Sequence, residues 1–156
     1  MSLLPLFIWC DETQIAVAIR SSRYLFPAIE VVHLLGLTIL LGAVLLVDLR
    51  LLGLGMRRQS VSRLAAQITP FMSFAIGLML LTGTLLFVSE ALKCYGNSAF
   101  WFKMSCLLVA IVFQYTIHRR FVLSDHHSTI ASRATACCSI ALWVGVALGG
   151  RAIAFV

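Results

Sequence analysis

The sequence predicts an all-α integral membrane protein: a four-helix bundle with a short N-terminal helix lying in the membrane interface. Three observations predict it. Four apolar runs, at residues 28–47, 69–89, 99–118 and 134–151, each come near the roughly 20 residues that a helix needs to cross a ~30 Å hydrocarbon core. The chain of 156 residues is 61% hydrophobic, with a mean hydropathy of +1.00, too apolar for a water-soluble domain. Nearly every ionisable residue falls at the ends of the runs or between them. Inside lipid each backbone polar group must be satisfied within its own segment, so long apolar runs are helices. The shorter, alternating segments of a β-barrel are not visible. With no repeat and no low-complexity linker, a single transmembrane domain over residues 1–156 is expected.

The elements follow in order. Residues 1–10 are apolar but lack a basic leader and a small-residue cleavage site, so they are expected to stay in the mature chain. Residues 7–23 mix Trp9, Ile15 and Ile19 with Asp11, Glu12, Gln14 and Arg20, a composition suited to one helix lying in the interface. Pro27 redirects the chain into the first span. Trp9, Tyr24, Phe26, Tyr95, Phe100, Trp101 and Phe102 form the expected aromatic belt at that level.

The net charge of +6 would suggest nucleic acid in a soluble protein, but here it reports orientation and no nucleic-acid partner is expected. Arg50, Arg57, Arg58 and Arg63 follow the first span, and Arg119, Arg120 and Arg133 surround the third connection. The opposite side carries Arg20, Arg23 and Lys93, offset by Asp11, Glu12 and Glu90. The positive-inside rule then places both termini on the periplasmic side of a bacterial inner membrane.

Helical phase puts Glu30, His33, Leu37, Leu41, Val44 and Asp48 on one face of the first span. Lys103, Cys106, Ala110, Gln114 and His118 form a similar stripe on the third. Ionisable groups cost about 2.5 to 3.5 kcal/mol at the bilayer centre, so these faces are expected to meet inside the bundle. Matching depths pair Glu30 with Arg151 or Lys103, and Asp48 with His118 or Arg119. Two intramembrane histidines suit haem b, which helical bundles hold through axial histidines. His33 and His118 nevertheless differ in depth by roughly 20 Å at 1.5 Å per residue, so one iron cannot take both. A haem at His33 would need Met104, a lone axial bond or the His33 of a second subunit, with Arg151 and Lys103 for its propionates. One at His118 could call on Met72, His126 or His127. His33 and His118 are equally the candidates for a metal ion, and the bland alternative makes both hydrogen-bonded interior residues. The Asp125-His126-His127 run has no accompanying ligand spacing.

Cys10 and Cys94 share the outer side, where a disulfide is permitted, while Cys137 and Cys138 open the fourth span without the further soft ligands that copper would need. Ala141, Gly145 and Gly149, like Ser73 and Gly77, recur at a spacing that lets helices approach, within the bundle or to a second subunit. No phosphate loop, nucleophile elbow or metalloprotease helix is present.

The stretch from Tyr24 through Pro27, Glu30 and His33 to Gly36, followed by Asp48 and Arg50, resembles an uncharacterised family of small bacterial four-helix membrane proteins. Phe100-Trp101-Phe102-Lys103, Gln114 with His118-Arg119, and Gly150-Arg151 extend the resemblance over almost the whole chain. In arrangement such proteins are distantly similar to copper-resistance D-type membrane proteins and small b-type cytochromes. The expected function is a haem b-binding electron-transfer protein or redox-complex subunit, as a homo-oligomer or in a larger complex. The alternatives are a non-catalytic accessory subunit and a permease for copper or another small cation.

Overall fold

The computed structural model describes residues 3–54, 60–123 and 129–153, and helices supply all the regular structure among them. In chain order these are α1 (Leu4–Asp11), α2 (Gln14–Ser21), α3 (Leu25–Leu51), α4 (Val61–Ser89), α5 (Ala91–Tyr95), α6 (Ser98–Phe113), a π-helical turn (Gln114–His118), α7 (Arg119–Leu123) and α8 (Thr129–Ala152). Four segments, Leu25–Leu51, Val61–Ser89, Ser98–Val122 and Ile130–Ala152, are long and apolar enough to cross a membrane. Only 17% to 28% of each span's most apolar window is buried, and Phe74, Leu81, Leu108 and Leu148 are more than 60% exposed. An apolar exterior of this extent is the surface of a multi-pass membrane protein, made to meet lipid.

The spans outrun the apolar runs because capping, and not hydropathy, sets their ends. α4 begins eight residues before its apolar run, where the Ser60 hydroxyl accepts a hydrogen bond from the Arg63 amide. It then continues through Pro70, a residue tolerated in membrane helices where local groups compensate the lost bond. α3 ends in a Schellman turn: Gly53 takes φ +82°, its amide donates to Arg50 O, and the Leu54 amide donates to Leu49 O.

The N-terminal segment differs from the single helix expected over 7–23. It folds as α1 and α2, broken because Thr13 caps the second helix, accepting from the Ala16 amide while its hydroxyl donates to Cys10 O. Arg20 holds both helices to the bundle. Its guanidinium donates to the Asp11 carboxylate at 2.8 Å, to Asp11 O at 2.7 Å and to Ser89 O at 3.0 Å at the end of α4. Phe100, expected in the aromatic belt, is instead buried with Phe7 beneath α1, stacked on Phe87, while Trp9, Tyr24 and Phe102 remain exposed.

α3 packs against α4 and α8, and α8 against α6. The first and third spans lie on the diagonal of the bundle, and their inward faces meet across it, as expected, where His118 reaches Asp48. The α4 and α6 backbones stand apart, bridged by the Phe87–Phe100 stack at one end and by α7 packed on α4 at the other, so clefts remain on this more open side of the ring. Leu40, Ala43, Val44, Met72, Ala75, Ile76, Ala110, Trp143 and Val146 fill the middle layer. The small residues of α8 serve the α6–α8 seam: a Cβ on Gly149 would lie 3.2 Å from the Lys103 Cα, and one on Gly145 would lie 3.5 Å from the Cys106 Sγ.

Candidate functional site: two histidines at opposite depths

The open side of the ring carries two clefts, one in each half of the bundle. The first, near the end that bears both terminal helices, has a volume of about 210 Å³ and lies between α4 and α6, with α3 and α8 behind it. Its walls are almost wholly apolar, and His33, Thr84 and Lys103 supply the polar groups. His33 enters from α3 because it shares the phase of Leu40, Val44 and Val47, the residues that α3 buries. Gly83 makes room for it, since a Cβ there would come within 3.2 Å of the His33 Cε1.

Hydrogen-bond directions fix the tautomer of His33. The Thr82 hydroxyl donates to Leu78 O at 2.7 Å, which uses its single proton. The 2.8 Å contact between Thr82 Oγ1 and His33 Nδ1 is then a hydrogen bond only if Nδ1–H donates. The Nε2 lone pair is left without a protein partner among the described residues. This is the arrangement found in metal-binding histidines, where the second nitrogen is tied down and the first is free to ligate. Lys103 lines the same cleft, half-buried, with no carboxylate partner among the described residues. Met79 and Met104 also line it.

The second cleft, about 470 Å³, opens toward the basic end, between α4 and the π-helical turn. Thr69, Ser73, Gln114, Tyr115, His118 and Arg119 are among its lining residues. Here the histidine is fully engaged. His118 Nε2 lies 2.7 Å from Asp48 Oδ1, and Nδ1 lies 2.9 Å from Gln114 Nε2. The Trp143 indole N–H donates to Gln114 Oε1 at 3.4 Å. Since the Gln114 amide nitrogen can only donate, Nδ1 accepts and Nε2–H donates to Asp48. The side-chain protons run from Trp143 through Gln114 and His118 to the carboxylate, in a cluster whose four members are all at least 97% buried. Asp48 Oδ2 and the Ser139 hydroxyl are buried without a partner among the described residues.

Other candidates are placed elsewhere. Glu30 is exposed at the head of α3, and the ion pairs among the described residues, Arg20–Asp11, Lys93–Glu90 and His118–Asp48, do not include it. Phase alone put it with Asp48, but at the helix end no neighbouring helix covers that face. Arg151 is exposed and does not line the first cleft, and Arg119 is exposed at the rim of the second. Cys10 and Cys94 pack into one aromatic-lined cluster as free thiols. Burial, aided by the Glu90 carboxylate, pushes the Cys94 thiol above its ordinary pKa, with Lys103 and Lys93 offsetting part of the rise. Among the described residues no three His, Cys, Asp or Glu side chains gather to hold a metal. The Asp125-His126-His127 run lies outside the described residues.

Thr82, Gly83, Trp143 and Ser139 escape the sequence reading. Trp143 carried a signal, because tryptophan favours membrane interfaces and one at mid-span needs a partner for its N–H. No curated protein and no solved structure matches the chain, so neither copper-resistance proteins nor b-type cytochromes are among its matches. A family model described as Family of unknown function (DUF6644) matches residues 9–156. The match takes in both histidines, both clefts and every span, and the chain belongs to that family.

Proposed function

We propose that this chain is a subunit of a bacterial inner-membrane redox complex, holding haem b in the cleft at His33. The observation that carries the reading is the free Nε2 of an imidazole whose other nitrogen is tied to Thr82, at the wall of an apolar cleft. The donor set suits the group: His33 would hold the iron, Lys103, with no carboxylate partner among the described residues, would balance a propionate, and Met79 or Met104 would offer a thioether. Bound haem would supply one-electron redox chemistry. The chain's own part is to fix the imidazole, exclude water with Phe87, Phe100 and Leu107, and balance the propionate charge.

The cleft's volume of 210 Å³ is below the roughly 300 Å³ at which self-contained ligand pockets begin. Completion by a second copy or by another subunit follows, and the open side between α4 and α6 is where it would dock. Both termini then face the periplasm, as the basic residues at the opposite end direct.

A non-catalytic accessory role is the second reading, favoured by Glu30, exposed on a lipid-facing helix and in no ion pair among the described residues, which invites a cationic group from a neighbouring subunit. A permease is disfavoured: Leu40, Val44, Met72, Ile76 and Trp143 close the layer between the two polar regions. The visible spectrum of detergent-purified protein from haem-replete cells tests the proposal. A Soret band that sharpens on dithionite reduction and is absent in His33→Ala, but present in His118→Gln, is expected. A colourless wild-type sample would overturn the redox reading and leave the accessory one.

A further inference from the structure

We propose that Asp48 and His118 form a proton-binding site, loaded from the cleft at the basic end and gated by the amide of Gln114. The proposal stands whether or not a cofactor binds at His33, which lies fifteen residues away along α3, about 22 Å at the helical rise.

The argument starts from charge. The directions of the hydrogen bonds make His118 a neutral imidazole whose Nε2–H donates to Asp48, a fully buried carboxyl group whose Oδ2 has no partner among the described residues. Among the described residues the ion-pair partner of Asp48 is His118, and no lysine or arginine pairs with it. On α3, Arg50 lies beyond Asp48 at the helix end. α4 contributes Thr69 and Ser73 across the cleft, with Arg63 exposed at its head. The π-turn contributes Tyr115, with Arg119 exposed at the rim, and Arg120 of α7 is exposed. α8 contributes Thr135, Ser139 and Trp143, with Arg133 exposed near its start. An ionised carboxylate with one oxygen left unpartnered at this depth is costly, and one added proton neutralises it.

The route is also built. Asp48 does not line the cleft, but His118 and Gln114 do. A proton donor in the cleft, hydronium or water, can reach the cluster only through them. Transfer to His118 Nδ1 forms an N–H bond as the donor's O–H bond breaks. The Gln114 amide must first swing off Nδ1 to admit the donor, because its NH2 covers the lone pair, and its oxygen can then accept from the new Nδ1–H. That rotation gives up the Trp143 contact, already long at 3.4 Å. The resulting imidazolium balances Asp48, and the Nε2 proton can be shared with Oδ1 across the 2.7 Å bond. Gln114 and His118 bound a π-helical turn, the widened geometry that often marks functional positions in helices.

Infrared difference spectra of the purified protein in lipid nanodiscs, recorded between alkaline and acid pH, test this. One proton is expected to be taken up by the pair, seen as loss of a carboxylate band and growth of imidazolium or carboxylic-acid bands. These changes should vanish in Asp48→Asn. Gln114→Leu, which removes the amide that covers Nδ1 without touching Asp48 or His118, should keep these bands but lose the side-chain amide shift that accompanies them in the wild type. If Asp48→Asn does not fold, the Gln114→Leu comparison alone decides. Spectra unchanged across the pH range, or the absence of an amide shift that Gln114→Leu removes, would overturn the proposal.

Discussion

The two halves of the bundle use the same side chain in opposite ways. Near the terminal helices, His33 gives one nitrogen to Thr82 and keeps the other free at an apolar cleft. Near the basic end, His118 spends both nitrogens inside a buried network. What separates a ligand-ready histidine from an internal one is therefore the number of its nitrogens that neighbours consume. A neighbour with one proton already committed, as in Thr82, leaves a lone pair exposed. Neighbours that donate on one side and accept on the other, as Gln114 and Asp48 do, leave none.

The largest effect that sharpens this contrast is on stability. His118→Ala strands the Asp48 anion and is expected to cost about 3 to 5 kcal/mol, whereas replacing both residues with leucine should cost far less, because no unpaired charge remains. His33→Ala removes one half-buried hydrogen bond and should cost about 0.5 to 1.5 kcal/mol. Denaturant titration of the micelle-bound protein measures all three, and equal losses for the two single variants would break the contrast.

Gly149→Ala comes next. The new methyl would meet the backbone of Lys103, which cannot swing aside, so the α6–α8 seam must open at about 1 to 3 kcal/mol, read as a lower unfolding midpoint. Gly83→Ala presses instead on the His33 ring, a side chain that can rotate. Stability should change by less than about 1 kcal/mol, while any ligand signal at His33 is lost or shifted. The smallest effect concerns Cys94. Its raised pKa keeps it a thiol through neutral pH, so alkylation should be slow and accelerate only above the ordinary thiol range. By linkage, stability from the neutral thiol is present below that range and lost as pH rises through the folded value.

Hydropathy made the four spans legible, and helical phase with depth brought Asp48 and His118 within reach of each other. Both are one-dimensional properties of a helix. What the sequence hid depends on which helices neighbour which. The open side between α4 and α6 carries no periodicity of its own, so neither cleft could be foreseen. Glu30 repeats the phase of Asp48 but lies where no helix packs, and phase carries no information about that. Thr82 and Gly83 matter only because α4 sits against His33. The break at Glu12–Thr13 was readable from a capping threonine in a polar stretch, a local signal outweighed by the amphipathic pattern around it.

The most direct test of the division between the halves is the nitrogen-15 spectrum of histidine-labelled protein in nanodiscs at alkaline pH, assigned with His33→Ala and His118→Gln. The structure predicts opposite neutral tautomers in a sample free of haem, Nδ1–H at His33 and Nε2–H at His118. Finding both histidines in one tautomer, or the two exchanged, would contradict the account.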